Sequence, residues 1–312
     1  GDGGQWNMAM NLIRKHGLVP KVAYPESKSS SSTRWMNAIL KDLLRSGASE
    51  IREILDNGGT VKQAREHKDS RMSDVWRVLC IHLGTPPEKF DWQWEDKEGE
   101  FNRRGSITPQ EFASEYVDMD WEDFVCIVND PRNKYYQRYT VDFLQNVAGG
   151  PPVVYLNVPS SEMKAITQKL LEDGNPVWMG CDVGKQMHRQ RGLWDANLFD
   201  FAALYGSEFG MDKANRLRFG QTMMTHAMLF TGVDVMNGKP RRWRVENSWG
   251  EKESGEKGFY TMNDSWYDEY MFEIACPTEY LSDKMKAGLN SEPIVLPAWD
   301  PMGSLAHDEA LA

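Results

Sequence analysis

Two polar residues with the chemistry of a general base and its orienting group stand near each other in the sequence. His226 opens the apolar stretch HAMLFTGVDV, and Asn247 closes the following stretch, RRWRVEN. Both stretches have the composition of β-strands, and MNGKP between them has that of a tight turn. We therefore predict an antiparallel pair of strands that brings His226 and Asn247 to the same end of a sheet.

A histidine ring that is held by an asparagine keeps its tautomer and orientation without gaining the charge of a carboxylate partner. Such a base suits a thiolate nucleophile better than a serine hydroxyl. Trp249 follows Asn247 closely enough to cover the hydrogen bond from water. The alternative is a core histidine and a strand-end asparagine that never meet, because a motif is only a hypothesis until its context is found.

The sequence offers four thiols, and each stands in apolar or strand-like sequence far from the others. They are Cys80, Cys126, Cys181 and Cys276. This spacing is unlike that of a secreted disulfide framework and favours a reducing compartment. We interpret each of them as a buried structural thiol rather than a nucleophile.

Composition excludes several classes of partner. The chain has 312 residues, 40% hydrophobic content and a net charge of −10. It can therefore bury a large core, while its overall field repels nucleic acid and anionic membranes. No run of about 18 apolar residues is present, and no charged-then-apolar leader precedes the first helix. We predict a soluble cytoplasmic protein for which neither a membrane nor nucleic acid is a favoured partner.

The pattern of elements changes along the chain from helical to strand-like. Residues 35–150 carry helical spacings, as in TRWMNAILKDLLRS, a capping box at Thr108, and a Trp-rich hairpin or loop, PPEKFDWQWEDKEGE. Residues 151–290 contain one helix, SSEMKAITQKLLEDG, and then the strand-like segments VWMGCDV, HAMLFTGVDV, RRWRVENSW and GFYTM. Helices followed by an antiparallel sheet predict an α+β fold.

The two ends of the chain have distinct characters. Residues 1–34 begin with GDGGQWNMAMNLIRKHG, in which Asp2 can cap a helix that ends at Gly17. Such an abrupt start, with nothing upstream to pack over Trp6, predicts that a segment precedes residue 1. Residues 291–312 hold three prolines and no clear periodicity, which predicts an extended arm.

Several motifs together resemble the papain-like cysteine peptidases, and within them the bleomycin hydrolase and aminopeptidase C branch. The matching stretches include DGGQW, GLVPK, YPES, VNDPR, VWMGCDVGK, RLRFG, THAM, ENSWG and EPIVLPAWDPMG. They occur in the family's order along essentially the whole chain. The resemblance implies a papain-like fold with a large helical insertion at 35–150 and a C-terminal arm.

The resemblance also assigns roles to residues of this chain. It makes His226 the general base and Asn247 its orienting group, and it gives the backbone of Gly3 and Gly4 a part in binding substrate. It places the end of the arm, near Ala306, in the active-site cleft, where a terminal carboxylate would meet the substrate's amino group. It implies peptide substrates, a homohexamer, and no metal or other cofactor.

One departure from the family is clear. The family's nucleophile is a cysteine followed by tryptophan, upstream of the Asp-Gly-Gly-Gln segment, and none of the four cysteines here is followed by tryptophan. We therefore expect this chain to be the C-terminal portion of a cysteine aminopeptidase, inactive by itself. Residues 307–312 overshoot the family's endpoint and are expected to be trimmed or to occupy the cleft. The alternative is a non-catalytic peptide-binding or structural subunit.

Overall fold

The computed structural model describes residues 3–117, 119–251 and 255–306. The chain divides into two compact units, one formed by Leu12–Asp118 and the other by Gly3–Asn11 with Met119–Ala312. Helix α1 (Trp6–His16) begins in the second unit and ends in the first. Among the described residues, no helix has the length and apolarity needed to cross a membrane.

The first unit combines a helical pair with a small hairpin. Its elements are α2 (Arg34–Asp56), α3 (Val61–Leu83), β1 (Phe90–Glu95), β2 (Phe101–Ile107) and α4 (Pro109–Tyr116). The capping box predicted at Thr108 is present, with Glu111 bonding back to the cap and Pro109 in the first turn. The Trp-rich segment was predicted to be a hairpin or a loop, and it forms part of the β1–β2 hairpin.

Charge pairing joins the two long helices of this unit. Glu50 on α2 accepts hydrogen bonds from Nε of Arg71 at 2.7 Å and from Nε2 of His67 at 2.5 Å, both on α3. The hydrogen bond from Arg71, followed by that from His67, lowers the pKa of Glu50 to about 2. The pairing is part-buried, so it orients the two helices more than it stabilises them.

The second unit is built on one large sheet. Its strands are β3 (Phe124–Val128), β4 (Arg138–Val141), β5 (Tyr155–Asn157), β6 (Val177–Cys181), β7 (Met187–His188), β8 (Leu193–Trp194), β9 (His226–Met236), β10 (Lys239–Glu246), β11 (Phe259–Asn263), β12 (Met271–Pro277) and β13 (Ile294–Leu296). They are ordered β13-β4-β5-β3-β12-β6-β9-β10-β11-β8-β7.

Short helices connect these strands. They are α5 (Ser160–Glu172), α6 (Phe201–Tyr205), α7 (Lys213–Arg218), α8 (Asp264–Tyr270) and α9 (Asp283–Gly288), with 3₁₀ turns at Thr278–Tyr280 and Pro301–Ala306. Neighbouring residues of a strand enter different core clusters, as Phe272 and Met271 do on β12. The sheet therefore packs on both faces, and α5 and α8 contribute to one of the two clusters.

The expectation of an antiparallel sheet needs correction, and the segment predicted as mainly helical also contributes strands to the sheet. The ladder β6–β9–β10–β11 is antiparallel as predicted, but β3–β5, β4–β13 and β8–β11 are parallel. Segment 35–150 was predicted as mainly helical, yet β3 and β4 lie within it and belong to the large sheet. Short apolar runs such as FVCIV carry no periodicity that separates a buried strand from a buried helix turn. The predicted domain boundaries at 34, 150 and 290 stay predictions.

Candidate active site

The β9–β10 hairpin positions the two residues that the sequence singled out. Its turn uses Asn237 at φ 53° and Gly238 at φ 73°, the left-handed pair that a two-residue hairpin requires. The strands pair antiparallel, and the pairing ends at Leu229 opposite Glu246. His226 at the start of β9 and Asn247 after β10 consequently lie at the same end of the sheet.

The two side chains are directly bonded. Nε2 of His226 lies 2.9 Å from Oδ1 of Asn247, and the backbone N–H of Ser248 donates to the same oxygen at 2.8 Å. A backbone N–H can only donate, so the shared atom must be the carboxamide oxygen. Nε2 of His226 therefore carries the proton, and in the neutral ring Nδ1 holds the free lone pair.

An aromatic ring shields this hydrogen bond. The ring of Trp249 lies 5.0 Å from that of His226, centre to centre, and Asn247 is buried. Burial lowers the pKa of His226 below its ordinary value, and the hydrogen bond that its ring donates to Asn247 opposes that shift. The imidazole is thus held neutral, in one tautomer, and ready to accept a proton at Nδ1.

None of the four cysteines has the surroundings of a nucleophile. Cys181 lies directly opposite His226 in the β6–β9 pairing, but it is fully buried. Burial raises its pKa well above the ordinary value, and that of Cys126 likewise. Burial also raises the pKa of Cys276 to about 12. Cys80 lies on α3 in the other unit. A thiolate at any of the three buried positions would be costly.

The predicted substrate-binding glycines lie just before α1. Gly3 is exposed and Gly4 half-buried, and a Cβ built on Gly4 would meet no heavy atom within 4 Å. The next residue, Gln5, is anchored: its Nε2 donates to the carbonyl of Met302 at 3.1 Å, and its Oε1 accepts from the hydroxyl of Tyr155. The glycines thus form an open backbone edge beside a fixed side chain.

The arm is fixed to the second unit. β13 pairs with β4, and Oγ of Ser304 donates to the carbonyl of Met224 at 2.6 Å, two residues before His226. Leu305 is buried. Ala306 ends the 3₁₀ turn, and residues 307–312 lie outside the described residues. The strand and the turn were not predicted, because three-residue and 3₁₀ elements are too short to show a period.

Several polar residues that organise this region were missed by sequence reasoning. Arg132 bonds Asp130 at 2.7 Å and Asp300 of the arm at 2.9 Å, and all three side chains are largely buried. Glu273 on β12 is fully buried. Two sequence signals could have indicated them: the charged residues of VNDPR directly after an apolar strand, and the glutamate within the apolar stretch MFEIACP. A charge in such a place needs a partner or a shifted pKa. No cluster of metal-ligating side chains occurs in the described part of the chain.

Comparison with known proteins places this geometry in a family. The model of the Peptidase C1-like family matches residues 1–303. The chain belongs to that family, which confirms the predicted papain-like α+β fold.

Individual relatives agree with this assignment. The chain is 44% identical to bleomycin hydrolase of Mus musculus over 314 residues, covering 98% of this chain and 69% of that protein. It is 39% identical to aminopeptidase C of Streptococcus thermophilus over 308 residues, with the same two coverages. The crystal structure of PepW from Lactobacillus rhamnosis superimposes with a TM-score of 0.94 at 38% identity, covering 97% of this chain and 69% of that one. These homologies confirm the branch predicted from the motifs.

Proposed function

We propose that this chain is the C-terminal portion of a cysteine aminopeptidase that hydrolyses peptide bonds with a Cys/His/Asn triad. His226 is the base, Asn247 orients it, and the nucleophilic cysteine lies on a segment outside these 312 residues. The observation that carries the proposal is the 2.9 Å bond between His226 and Asn247, which fixes the tautomer of the ring. The bond from the backbone N–H of Ser248 to the same carboxamide oxygen holds Asn247 in the orientation that His226 requires.

The proposed mechanism uses the free lone pair on Nδ1 of His226. Nδ1 takes the proton of the nucleophilic thiol, and the thiolate attacks the peptide carbonyl carbon to give a tetrahedral oxyanion. His226 then passes the proton to the leaving amine, and an acyl-enzyme remains. A water molecule gives a proton to His226 and attacks the acyl carbon, which releases the acid and restores the thiol.

The arm supplies the preference for an amino terminus in this proposal. Gly3 and Gly4 offer backbone groups to the substrate, and a chain ending near Ala306 presents a carboxylate to the substrate's ammonium group. The bond from Ser304 to the carbonyl of Met224 supports this role, because it ties the arm close to the start of β9. A blocked end of the groove would exclude longer peptides that run through.

We propose peptide substrates, a homohexamer, a cytoplasmic location and no cofactor. The alternative is a non-catalytic subunit that keeps the fold and a peptide-binding groove. It is favoured by the burial of Cys126, Cys181 and Cys276, none of which hydrogen-bonds His226 among the described residues.

The test uses the complete enzyme, meaning this chain joined to the cysteine-bearing segment that we propose. His226→Ala should lower kcat about a thousandfold or more, because the base is lost. Asn247→Ala should cost up to about a hundredfold, since the base is misplaced but present. His16→Ala, an exposed histidine at the end of α1, is the matched control. The isolated 312-residue chain should be inert.

Near-normal turnover in His226→Ala would show that His226 is a packing residue. A complete enzyme that binds peptides without cleaving them would support the non-catalytic alternative instead. Peptidase activity in the isolated chain that disappears in Cys181→Ala would identify Cys181 as the nucleophile and contradict the proposed external thiol.

A further inference from the structure

An arginine, Arg189, lies over the indole ring that covers the proposed base. The guanidinium carbon of Arg189 lies 4.7 Å from the centre of the Trp249 ring, and that ring lies 5.0 Å from the ring of His226. The guanidinium is therefore within about 10 Å of the proposed base. Its stacking is favourable because the π-face of an indole carries negative potential.

The backbone that carries Arg189 is held in place. Arg189 opens the turn between β7 and β8, and its carbonyl accepts from the N–H of Gly192 at 3.1 Å. The carbonyl of Gly192 accepts in turn from Thr261 on β11 at 2.8 Å. Gly192 has φ +62°, and a Cβ there would lie 2.6 Å from Cα of Gly255. No other residue type fits this contact, so the turn is fixed against the sheet.

The side chain of Arg189 is exposed, and no ion pair joins it to an acid among residues 3–117, 119–251 and 255–306. The guanidinium lies over the indole ring, and its N–H groups have the geometry to bind the two oxygens of a carboxylate. The stacking therefore orients a bidentate anion donor set beside the proposed active site.

The chemistry of the reaction determines which part of the substrate lies near His226 and Arg189. His226 must donate its proton to the leaving nitrogen, so that nitrogen comes within hydrogen-bond reach of Nδ1. A glutamate that follows the scissile bond carries its carboxylate about 5 Å from that nitrogen, as standard bond lengths require. With a hydrogen bond of about 3 Å between that nitrogen and Nδ1, the carboxylate can lie up to about 8 Å from Nδ1. That distance falls within the upper limit of about 10 Å between the ring of His226 and the guanidinium.

We propose that Arg189 is a specificity-determining residue that favours substrates with an acidic side chain directly after the scissile bond. The inference rests on the proposed peptidase function and deepens it. Trp249 holds the guanidinium by its face, and the carboxylate of the leaving residue bridges its N–H edge. The arginine side chain is ordered before the substrate arrives, so binding loses less conformational entropy and the affinity for the carboxylate is higher.

The test measures kcat/KM of the complete enzyme on three peptide amides that differ only in the residue after the scissile bond: Glu, Gln or Lys. The wild-type enzyme should prefer Glu over Gln about tenfold, the value of one charge-assisted contact. Arg189→Ala should remove that preference, lowering the rate on the Glu peptide about tenfold and on the Gln peptide by much less. Arg189→Glu should favour the Lys peptide.

Arg191→Ala is the matched control, because Arg191 is an exposed arginine on the same turn. It should leave the order of the three peptides unchanged. A loss in Arg189→Ala that is equal for all three peptides would mean that the arginine only supports Trp249, and would overturn the inference. Cleavage of all three by the wild-type enzyme without preference would also overturn it while leaving the peptidase function intact. No cleavage of any peptide would contradict the peptidase function itself.

Discussion

Arg132 and Asp300 are joined by a hydrogen-bonded ion pair of 2.9 Å although 168 residues separate them in the chain. The pair ties the loop after β3 to the C-terminal arm. The side chains of Arg132 and Asp300 are only 14% and 8% exposed, so water screens the ion pair little. Asp130, two residues before Arg132, accepts hydrogen bonds from the same guanidinium. The three residues together anchor the arm at Asp300.

Replacing Asp300 should therefore loosen the arm. Asp300→Asn should lower the free energy of unfolding by about 1–3 kcal/mol, because the buried guanidinium keeps Asp130 but loses one charged partner. Urea unfolding of the 312-residue chain measures this change. Glu292→Gln, an exposed acid on the same arm, should change it by less than about 0.5 kcal/mol. Equal effects of the two substitutions would mean that the ion pair does not anchor the arm.

The buried carboxyl of Glu273 should make stability fall as pH rises from about 4.5 to about 8. Burial raises its pKa to about 8, against an ordinary value of 4.5, although a side-chain hydrogen bond with Cys126 acts in the opposite direction. The folded state thus binds the proton more tightly than the unfolded state. Stability is full below the unfolded value and declines as pH rises from about 4.5 to 8.

Glu273→Gln tests this linkage, because the amide has the same shape and no charge. It should raise the free energy of unfolding at pH 8.5 by on the order of 2–4 kcal/mol relative to the wild-type chain, with a small effect at pH 5. Glu279→Gln, at an exposed position shortly after β12, serves as control. A pH dependence that is the same in wild type and Glu273→Gln would show that Glu273 is charged and paired.

The pKa of His226 should lie below its ordinary value of 6.5 in the isolated chain, since burial disfavours the imidazolium. Asn247→Ala should lower it further if the ring stays buried, because the hydrogen bond that His226 donates to Asn247 raises it. The unfolded chain binds this proton more readily, so His226 contributes a loss of stability as pH falls below 6.5. NMR titration of the ring protons measures both shifts. A value at or above 6.5 would contradict the buried, neutral base.

The end of the arm should set the mode of cleavage in the complete enzyme. A form that ends at Ala306 should have higher aminopeptidase activity than the full chain, because residues 307–312 extend past the proposed endpoint. A form that lacks the arm from Pro297 onward should shift toward internal cleavage, since the terminal carboxylate and the obstruction are both gone. Kinetics on free and N-acetylated peptides compare the three forms. An unchanged preference for a free amino terminus would show that the arm plays no part in it.

Local sequence was sufficient for the features that depend on short-range geometry. The turn at Asn237 and Gly238 requires left-handed backbone, so the residues after and before it had to pair, and this pairing brings His226 to Asn247. The capping box at Thr108 is likewise satisfied within four residues. The order of the motifs also predicted the family and its α+β fold.

Only the tertiary structure decided the features that depend on partners far along the chain. The parallel pairing of β13 with β4, the bond from Arg132 to Asp300 and the burial of Glu273 arise between segments whose sequences carry no mutual signal. The stacking of Arg189 on Trp249 belongs to the same class, because nothing in either segment indicates that the β7–β8 turn lies beside the end of β10. Periodicity and turn chemistry act over a few residues, whereas these contacts form only when the whole sheet has assembled.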